Sequence, residues 1–432
     1  MKLTDFENKS IACIGLGAEN YALLNYLEKN NLKPAITIFE FKDKSEFVDR
    51  FPRALKWPHI SWSTKRPDAK ILSDFDIILR SPGAFMSLDS RARLEHVTGP
   101  MHYFLELCPT KNVIGVSGTK GKGTTASLIY AILKKAGKKV WLGGNIGTAP
   151  FEFLPKIKEG DWVVLELSSF QLEDIDVSPH IAVMTNFSPE HLAPADPNNP
   201  NYHESLNAYW QAKFNITRYQ NKKDLLVINQ KLQDKNLNSK AKIKFFSQSD
   251  LSSKLPGEHN KENIAAAVLV AETIGVDEKI IKKTVASFQG LPHRLEKVGE
   301  KNGVTYYNDS FATTPDATIT ALKSFSAPII LLAGGADKGA DFYALAKYIT
   351  ETVKAVVLFK GEATPHLKRE LLNANFDKNT IREVDSMKEA ISVARSFAKS
   401  GDIILLSPAC ASFGIFKNYK DRGEQFKKYA LT

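Results

Sequence analysis

The chain has 432 residues, 43% of them hydrophobic and 25% charged, which is ordinary globular composition and, at roughly 100 to 200 residues per domain, leaves room for about two to four domains. Its net charge of +10 fits nucleic acid, a membrane surface or phosphate-bearing ligands, but Lys29, Lys33, Lys42 and Lys44 are interleaved with Glu28, Glu40 and Asp43, so no basic stripe for nucleic acid stands out. Three widely spaced cysteines, Cys13, Cys108 and Cys410, suggest neither a disulfide framework nor a metal cluster; acids near the start and no apolar run of about 18 residues argue against a secretory leader or membrane span, so a cytoplasmic protein without nucleic-acid or membrane partners is expected.

Residues 1–102 begin with Ser10 to Asn20, a strand running into the turn Gly15-Leu16-Gly17 and then a helix. Ala35 to Phe39 follows as a second strand ending at Glu40. This is the opening βαβ of a nucleotide-binding layer, in which the turn takes a pyrophosphate and the acid a ribose hydroxyl. As a dinucleotide fingerprint it is weak, because Asn20 replaces the third glycine. A further strand, Asp76 to Arg80, ends in Ser81-Pro82-Gly83, which is either a plain turn or a second contact for the same ligand.

In residues 103–291 apolar strands alternate with helical patterns, which argues a parallel sheet. Between the run Val113 to Val116 and a helix from Thr125 to Lys135 lies Gly118-Thr119-Lys120-Gly121-Lys122-Gly123-Thr124. A strand, a glycine-rich turn and a helix N-terminus make a phosphate cradle: glycines let the backbone approach, N–H groups point at the anion, and a lysine reaches the terminal phosphates. The pattern departs at Gly123, where a Mg²⁺-binding hydroxyl is expected, and Thr124 is the nearest substitute. Later strands end in Asn145, in Glu166 followed by Ser168, and in Asn186; His191 follows, a Pro-rich loop spans Pro189 to Pro200, and a helix from Glu204 to Tyr219 carries Lys213. Asn260 and Asn263 share a helix face and can read an adenine edge, although simple capping accounts equally well for Asn260.

Past the hinge-like Gly290 to Arg294, residues 292–432 restart the α/β pattern, with polar turns at Gly334 to Lys338 and Ser407 to Ser412. The fold class expected is therefore α/β in three domains: a Rossmann-like N-terminal domain, a central P-loop ATPase domain with a mainly parallel sheet, and a C-terminal Rossmann-like domain. A phosphate loop, a strand-end glutamate, a histidine and a separate α/β domain together suggest ATP-driven joining of two substrates, because phosphorylation turns a carboxylate into an acyl phosphate with a leaving group.

The glycine loop, Glu166 to Leu172, Gly257 to Asn263, Leu291 to Arg294, Asn308 to Ser310 and Ser407 to Ser412 fall in the order found in the Mur ligases, which the chain resembles over essentially its whole length. The Glu166 to Leu172 and Ser407 to Ser412 segments, with Phe416 to Tyr419, look most like the member that adds D-glutamate to UDP-N-acetylmuramoyl-L-alanine. The resemblance implies ATP and Mg²⁺ as cofactors, held by Gly118 to Thr124, with Lys122 on the β/γ-phosphates. It further implies Thr124, Glu166, His191 and a carbamylated Lys213 at one or two Mg²⁺ ions, with His191 at the second, and Asn260, Asn263, Arg294 and Asp309 at the nucleotide. Gly15, Gly17, Glu40, Ser81, Pro82, Gly83, Asn145 and Ser168 would face the UDP-muramoyl substrate, and Thr313, Lys338, Ser412 and Tyr419 the D-glutamate. A monomer is expected.

The sequence departs from that pattern in three places. The histidine stands in Glu190-His191-Leu192-Ala193 ahead of an expanded loop, Phe311 replaces a lysine, and Gly123 gives a spelling more typical of folylpolyglutamate synthases. A folate-extending ligase and a non-catalytic nucleotide- or UDP-sugar-binding descendant are the alternatives. A complete extra layer in the first hundred residues speaks for the muramoyl ligase over the folate enzyme, and a nicotinamide oxidoreductase has no need of the second phosphate loop.

Overall fold

The computed structural model describes residues 2–40, 51, 57, 59–86, 94, 97–192, 201–235, 237–337 and 339–432. Among the described residues the strands form three sheets. The first is all parallel and runs Ile60–Ser63, Ala35–Phe39, Ser10–Ile14, Ile77–Arg80, Val97–Thr98. The second, also all parallel, runs Lys242–Phe246, Leu225–Asn229, Ile181–Met184, Val113–Ser117, Trp162–Glu166, Val140–Gly144. The third runs Glu296–Lys301, Val304–Asn308, Ile403–Leu406, Ile329–Ala333, Val353–Phe359, Ile381–Val384, with only its first pair antiparallel. The expected α/β class with mainly parallel sheets is thus observed.

Sequence dictates this burial. Val113–Ser117, Trp162–Glu166, Ile181–Met184 and Leu225–Asn229 are near-continuous apolar runs, as strands covered on both faces by helices must be. Side chains alternate faces along a strand: Leu331 and Leu405 join one core cluster of the third sheet while Ile330, Leu332, Ile404 and Leu406 join the other.

By contacts the chain forms two compact units, Met1–Asp250 with Glu262–Val285, and Leu251–Lys261 with Ala286–Thr432. The first two sheets share one unit because one apolar cluster runs through both: Ile11 and Leu79 of the first sheet, Phe104, Phe151 and Phe153 of the helices, and Val163 and Leu165 of the second sheet. Within that unit Arg80, 1% exposed, fastens the layers. Its guanidinium donates to Asp174 Oδ2 (2.6 Å), Glu173 Oε2 (3.2 Å), Ala84 O and Phe170 O (each 2.9 Å).

In open parallel sheets ligands collect beyond the carboxyl ends of strands where the strand order reverses. In the first sheet that place is between Ser10–Ile14 and Ile77–Arg80; in the second it is at Val113–Ser117, flanked by Trp162–Glu166 and Ile181–Met184. Register aligns the ends, with Val116 opposite Glu166 and Ser117 opposite Met184.

Candidate active site

The phosphate loop leaves the strand at Ser117 and enters the helix Lys122–Lys135. Gly118 has φ +140° and Gly121 φ +80°, a region that residues with a Cβ avoid, and a Cβ at Gly121 would overlap Asn263 Oδ1. The loop is held in shape by the chain following Ile181–Met184. The Thr119 N–H donates to Asn186 O (3.0 Å) and the Lys120 N–H to Asn186 Oδ1 (2.8 Å). The Thr185 hydroxyl donates to Lys120 O (2.7 Å), and the Ser188 N–H donates to Thr119 Oγ1 (3.0 Å). Lys122 Nζ donates to Thr119 O at 2.9 Å, lying across the mouth of the loop, and Lys120 Nζ pairs with Glu190 at 2.5 Å. Gly123 is buried in the first helical turn and Thr124 is half-buried beside it.

Around this loop the structure gathers Glu166, Asn145, Lys213 and His191. Glu166, 2% exposed, accepts from Asn145 Nδ2 through one carboxylate oxygen (2.9 Å), while its other oxygen, Oε2, is buried without a hydrogen-bond partner. Lys213, 1% exposed, donates from Nζ to Gly118 O at 2.7 Å and lies 4.6 Å from the Tyr209 ring centroid. Burial, reinforced by Lys122, drives its ammonium well below the ordinary lysine value despite the opposing pull of Glu190 and Glu166. His191 sits in a left-handed conformation, φ +57°. Burial lowers it to about 4, Glu190 opposing and Lys213 and Lys122 adding to the fall, so the imidazole is neutral near pH 7. Burial pushes Glu190 up, but Lys120, by charge and hydrogen bond, and then His191 and Lys122 outweigh it and leave that carboxyl below its usual range.

Sequence reasoning missed several neighbours. His203, 1% exposed, stacks on Phe170 (4.6 Å, 7°), Phe170 meets His191 edge-on at 5.3 Å, and the His203 backbone N–H donates to His191 O at 2.8 Å. Tyr209 Oη lies 3.3 Å from Thr119 Oγ1. Only the polar strand end at Thr185 and Asn186 carried a signal in the sequence. Ser168 acts locally, forming a capping box in which its hydroxyl accepts from the Gln171 N–H (3.2 Å) and its own N–H donates to Gln171 Oε1 (2.7 Å). Among the described residues no group of three or more His, Cys, Asp or Glu side chains forms a ready metal cage.

At the first sheet the Gly15 turn, Glu40 and Ser81 come together. Glu40 accepts the Leu16 N–H at 3.0 Å, and a Cβ on Gly17 would approach Ser81 Oγ to 2.5 Å. Asn20, standing for the third glycine, donates to Gly15 O at 2.8 Å and braces the turn. Pro82 accepts from Asn201 Nδ2 (2.6 Å), whereas a Cβ on Gly83 would meet open space.

In the second unit the strand ends at Asn308, Leu406 and Ala333 are adjacent. Asp309, 7% exposed, accepts the Leu295 N–H (3.1 Å) and the Ser407 hydroxyl (2.8 Å). Arg422, fully buried, ties the two loops, donating to Ser310 Oγ (3.0 Å), Ser310 O (2.9 Å) and Cys410 O (3.2 Å). Asn260 donates to Pro256 O at 2.7 Å, while Asn263 lies at the glycine loop of the first unit. Thr313 is half-buried just ahead of the helix Pro315–Leu322, Ser412 is buried, and Tyr419 opens the helix Tyr419–Ala430. Lys338 lies outside the described residues.

Burial raises Asp309 to about 7, against the hydrogen bonds from Ser407 and Leu295 and the charges of Arg294 and Arg422. A carboxyl raised in the folded state keeps its proton where the unfolded chain has lost it, so its contribution to stability falls as pH rises from about 4 to about 7. Asp309→Asn has no proton to lose. Its urea midpoint is expected to gain on that of the parent as pH rises through this window; a difference that stays flat contradicts the assignment.

Residues 116–252 match the Mur ligase middle domain and residues 293–410 the Mur ligase, glutamate ligase domain. Over 99% of the chain and 98% of the relative, the sequence is 37% identical to a protein of Acetivibrio thermocellus named "UDP-N-acetylmuramoylalanine--D-glutamate ligase". The crystal structure of MurF ligase from Thermotoga maritima in complex with ADP shares the fold (TM-score 0.58, 17% identity, 99% of each chain). Mycobacterium tuberculosis folylpolyglutamate synthase, solved with ADP and AMPPCP, also shares the fold (TM-score 0.55, 15% identity) but covers 76% of this chain and 92% of its own. The two matched domains and the relative's 37% identity define an ATP-dependent ligase. The chain belongs to the Mur ligases.

Proposed function

We propose that this enzyme joins the amino group of D-glutamate to the carboxyl of UDP-N-acetylmuramoyl-L-alanine, converting ATP to ADP and phosphate, as a step of peptidoglycan synthesis. The observation that carries this reading is the 37% identity running through 99% of the chain to a ligase of that name. It includes the first sheet, where Gly15, Gly17, Glu40 and Ser81 make a small polar cradle at the strand-order reversal.

The chemistry follows from the weakness of a carboxylate as an electrophile. A carboxylate oxygen takes the γ-phosphoryl group as its bond to ADP breaks. The amine, having shed a proton, then attacks the acyl carbon; the C–N bond forms, the C–O bond breaks and phosphate leaves. The loop from Gly118 to Thr124 would seat the phosphates on backbone N–H groups and Lys122. Asn145, which orients Glu166, would lie near the acyl phosphate.

The unpartnered buried oxygen of Glu166 fits a cation, because a buried carboxylate oxygen without a donor is costly. Glu166, Thr124 and His191 would hold Mg²⁺, which supplies charge neutralisation on the phosphoryl oxygens. Lys213, buried and biased toward the free amine, suits carbamylation: the neutral amine nitrogen bonds to carbon dioxide and loses a proton, leaving a carbamate anion in its place. Asn260, Asn263, Arg294 and Asp309 would serve the nucleotide, and Thr313, Lys338, Ser412 and Tyr419 the two carboxylates of D-glutamate. Ser81, Pro82, Gly83 and Ser168 would complete the UDP-muramoyl side. The enzyme works as a cytoplasmic monomer in this reading, and among the described residues no helix is long and apolar enough to cross a membrane.

The test is coupled ADP release across D-Glu, L-Glu, L-Ala, L-Lys and diaminopimelate with the matching acceptors. Release that requires both D-glutamate and UDP-N-acetylmuramoyl-L-alanine is expected. Release driven by L-glutamate and a folate, with none from D-glutamate, would overturn the proposal.

A further inference from the structure

We infer that Phe311 is a positioning residue of the nucleotide site, its ring carrying and aiming the Arg294 guanidinium; this rests on the nucleotide role proposed above for Arg294. The guanidinium carbon lies 3.7 Å from the Phe311 ring centroid, at stacking distance. The backbone around Arg294 is sharply turned: His293 (φ +64°) and Leu295 (φ +45°) flank it in left-handed conformations, and the Phe311 N–H donates to His293 O at 3.0 Å. The ring is fixed from a second side by Tyr419, edge-on at 5.0 Å and 86°. The Tyr419 backbone is itself held, since Ser310 Oγ donates to its carbonyl at 2.8 Å.

The stack has a chemical consequence. A guanidinium is weakly hydrated on its faces and carries its N–H donors around its edge, so stacking occupies a face and leaves the edge for an anion. Among the described residues the Arg294 N–H groups enter no ion pair and no side-chain hydrogen bond, and the Arg294 charge acts on Asp309 only at longer range. Phe311, an apolar side chain left 39% exposed, is otherwise unexplained in a loop of polar residues. A phosphate or ribose oxygen of a nucleotide fits that free edge. Where the resemblance leads one to expect a lysine, this chain places an apolar platform that orients a neighbouring cation.

The test uses the full-length protein and three variants: Phe311→Ala, Phe311→Leu and Phe311→Tyr. Thermal unfolding checks that each folds, and ADP affinity is measured by calorimetry without the other substrates. Alanine and leucine are expected to weaken ADP and raise KM for ATP by about 3- to 10-fold with kcat within about twofold, while tyrosine, which keeps the π face, stays near the parent. ADP affinities of the Ala and Leu variants within about twofold of the parent overturn the inference. So does leucine holding where alanine fails, because bulk rather than the ring would then be acting; so does tyrosine failing with alanine. A chain that does not ligate D-glutamate but ranks ADP affinity in the expected order refutes the proposed reaction and leaves the role of Phe311 standing.

Discussion

In coupled ADP release, Lys122→Ala is expected to lose about 10²- to 10³-fold in kcat, the usual cost of removing one preorganised donor from a site where charge develops. Lys122 is the first residue of the helix Lys122–Lys135 and reaches back to Thr119 O at 2.9 Å. A phosphate seated at the start of that helix would draw its ammonium off that carbonyl. Being half-buried and outside the apolar core, it can be removed without unfolding the chain. The loss should therefore appear in turnover while the urea midpoint stays put. Lys122 also pushes Lys213 toward its neutral form, so the variant should bind less carbon dioxide at Lys213. An unchanged rate of ADP formation would sink both the loop assignment and the reaction built on it.

The largest stability effect is expected at Arg80. Removing one partner of a buried ion pair strands the other, at about 3–5 kcal/mol. Arg80→Ala removes the guanidinium from the Asp174 side chain, 5% exposed, and from that of Glu173, 14% exposed, and takes a donor from the carbonyls of Ala84 and Phe170. That is a large share of the about 5–15 kcal/mol that holds a domain folded. Arg80→Lys should recover only part of it, because an ammonium lacks the fork that serves four acceptors at once. Urea unfolding of the full chain measures this, and an Ala variant with the parent's midpoint refutes the account. Both sheets of the first unit should melt together, because the residue joins the first to the loop after Phe170.

The central strands were plain in the sequence. Val113 to Val116, Ile329 to Ala333 and Ile403 to Leu406 are continuous apolar runs, and a strand buried on both faces can hardly be composed otherwise. Outer strands were not. Lys242–Phe246 is exposed along most of its length and Glu296–Lys301 is largely polar, because an edge strand needs little apolar surface and is blunted by charge. Glycine and strand-end signals marked the phosphate loop, Glu166 and the Gly15 turn, since their chemistry is local. Long-range partners left no such mark. His203 reaches His191 by stacking on Phe170, and Arg422 reaches Ser310 from 112 residues away; nothing in either segment states which loop it will meet. Ser168 shows the converse, a polar strand-end residue whose hydroxyl is taken by its own helix cap.

The stapling of residues 119 and 120 by Thr185, Asn186 and Ser188 bears on how this enzyme responds to its surroundings. Binding energy spent on ordering a floppy segment is lost to affinity, and here the cradle is already ordered. In the proposed function, nucleotide affinity would then depend mainly on the approach of an anion to Lys122, Lys120 and the loop dipoles. Ionic strength, more than temperature, is the variable to which ATP saturation should answer.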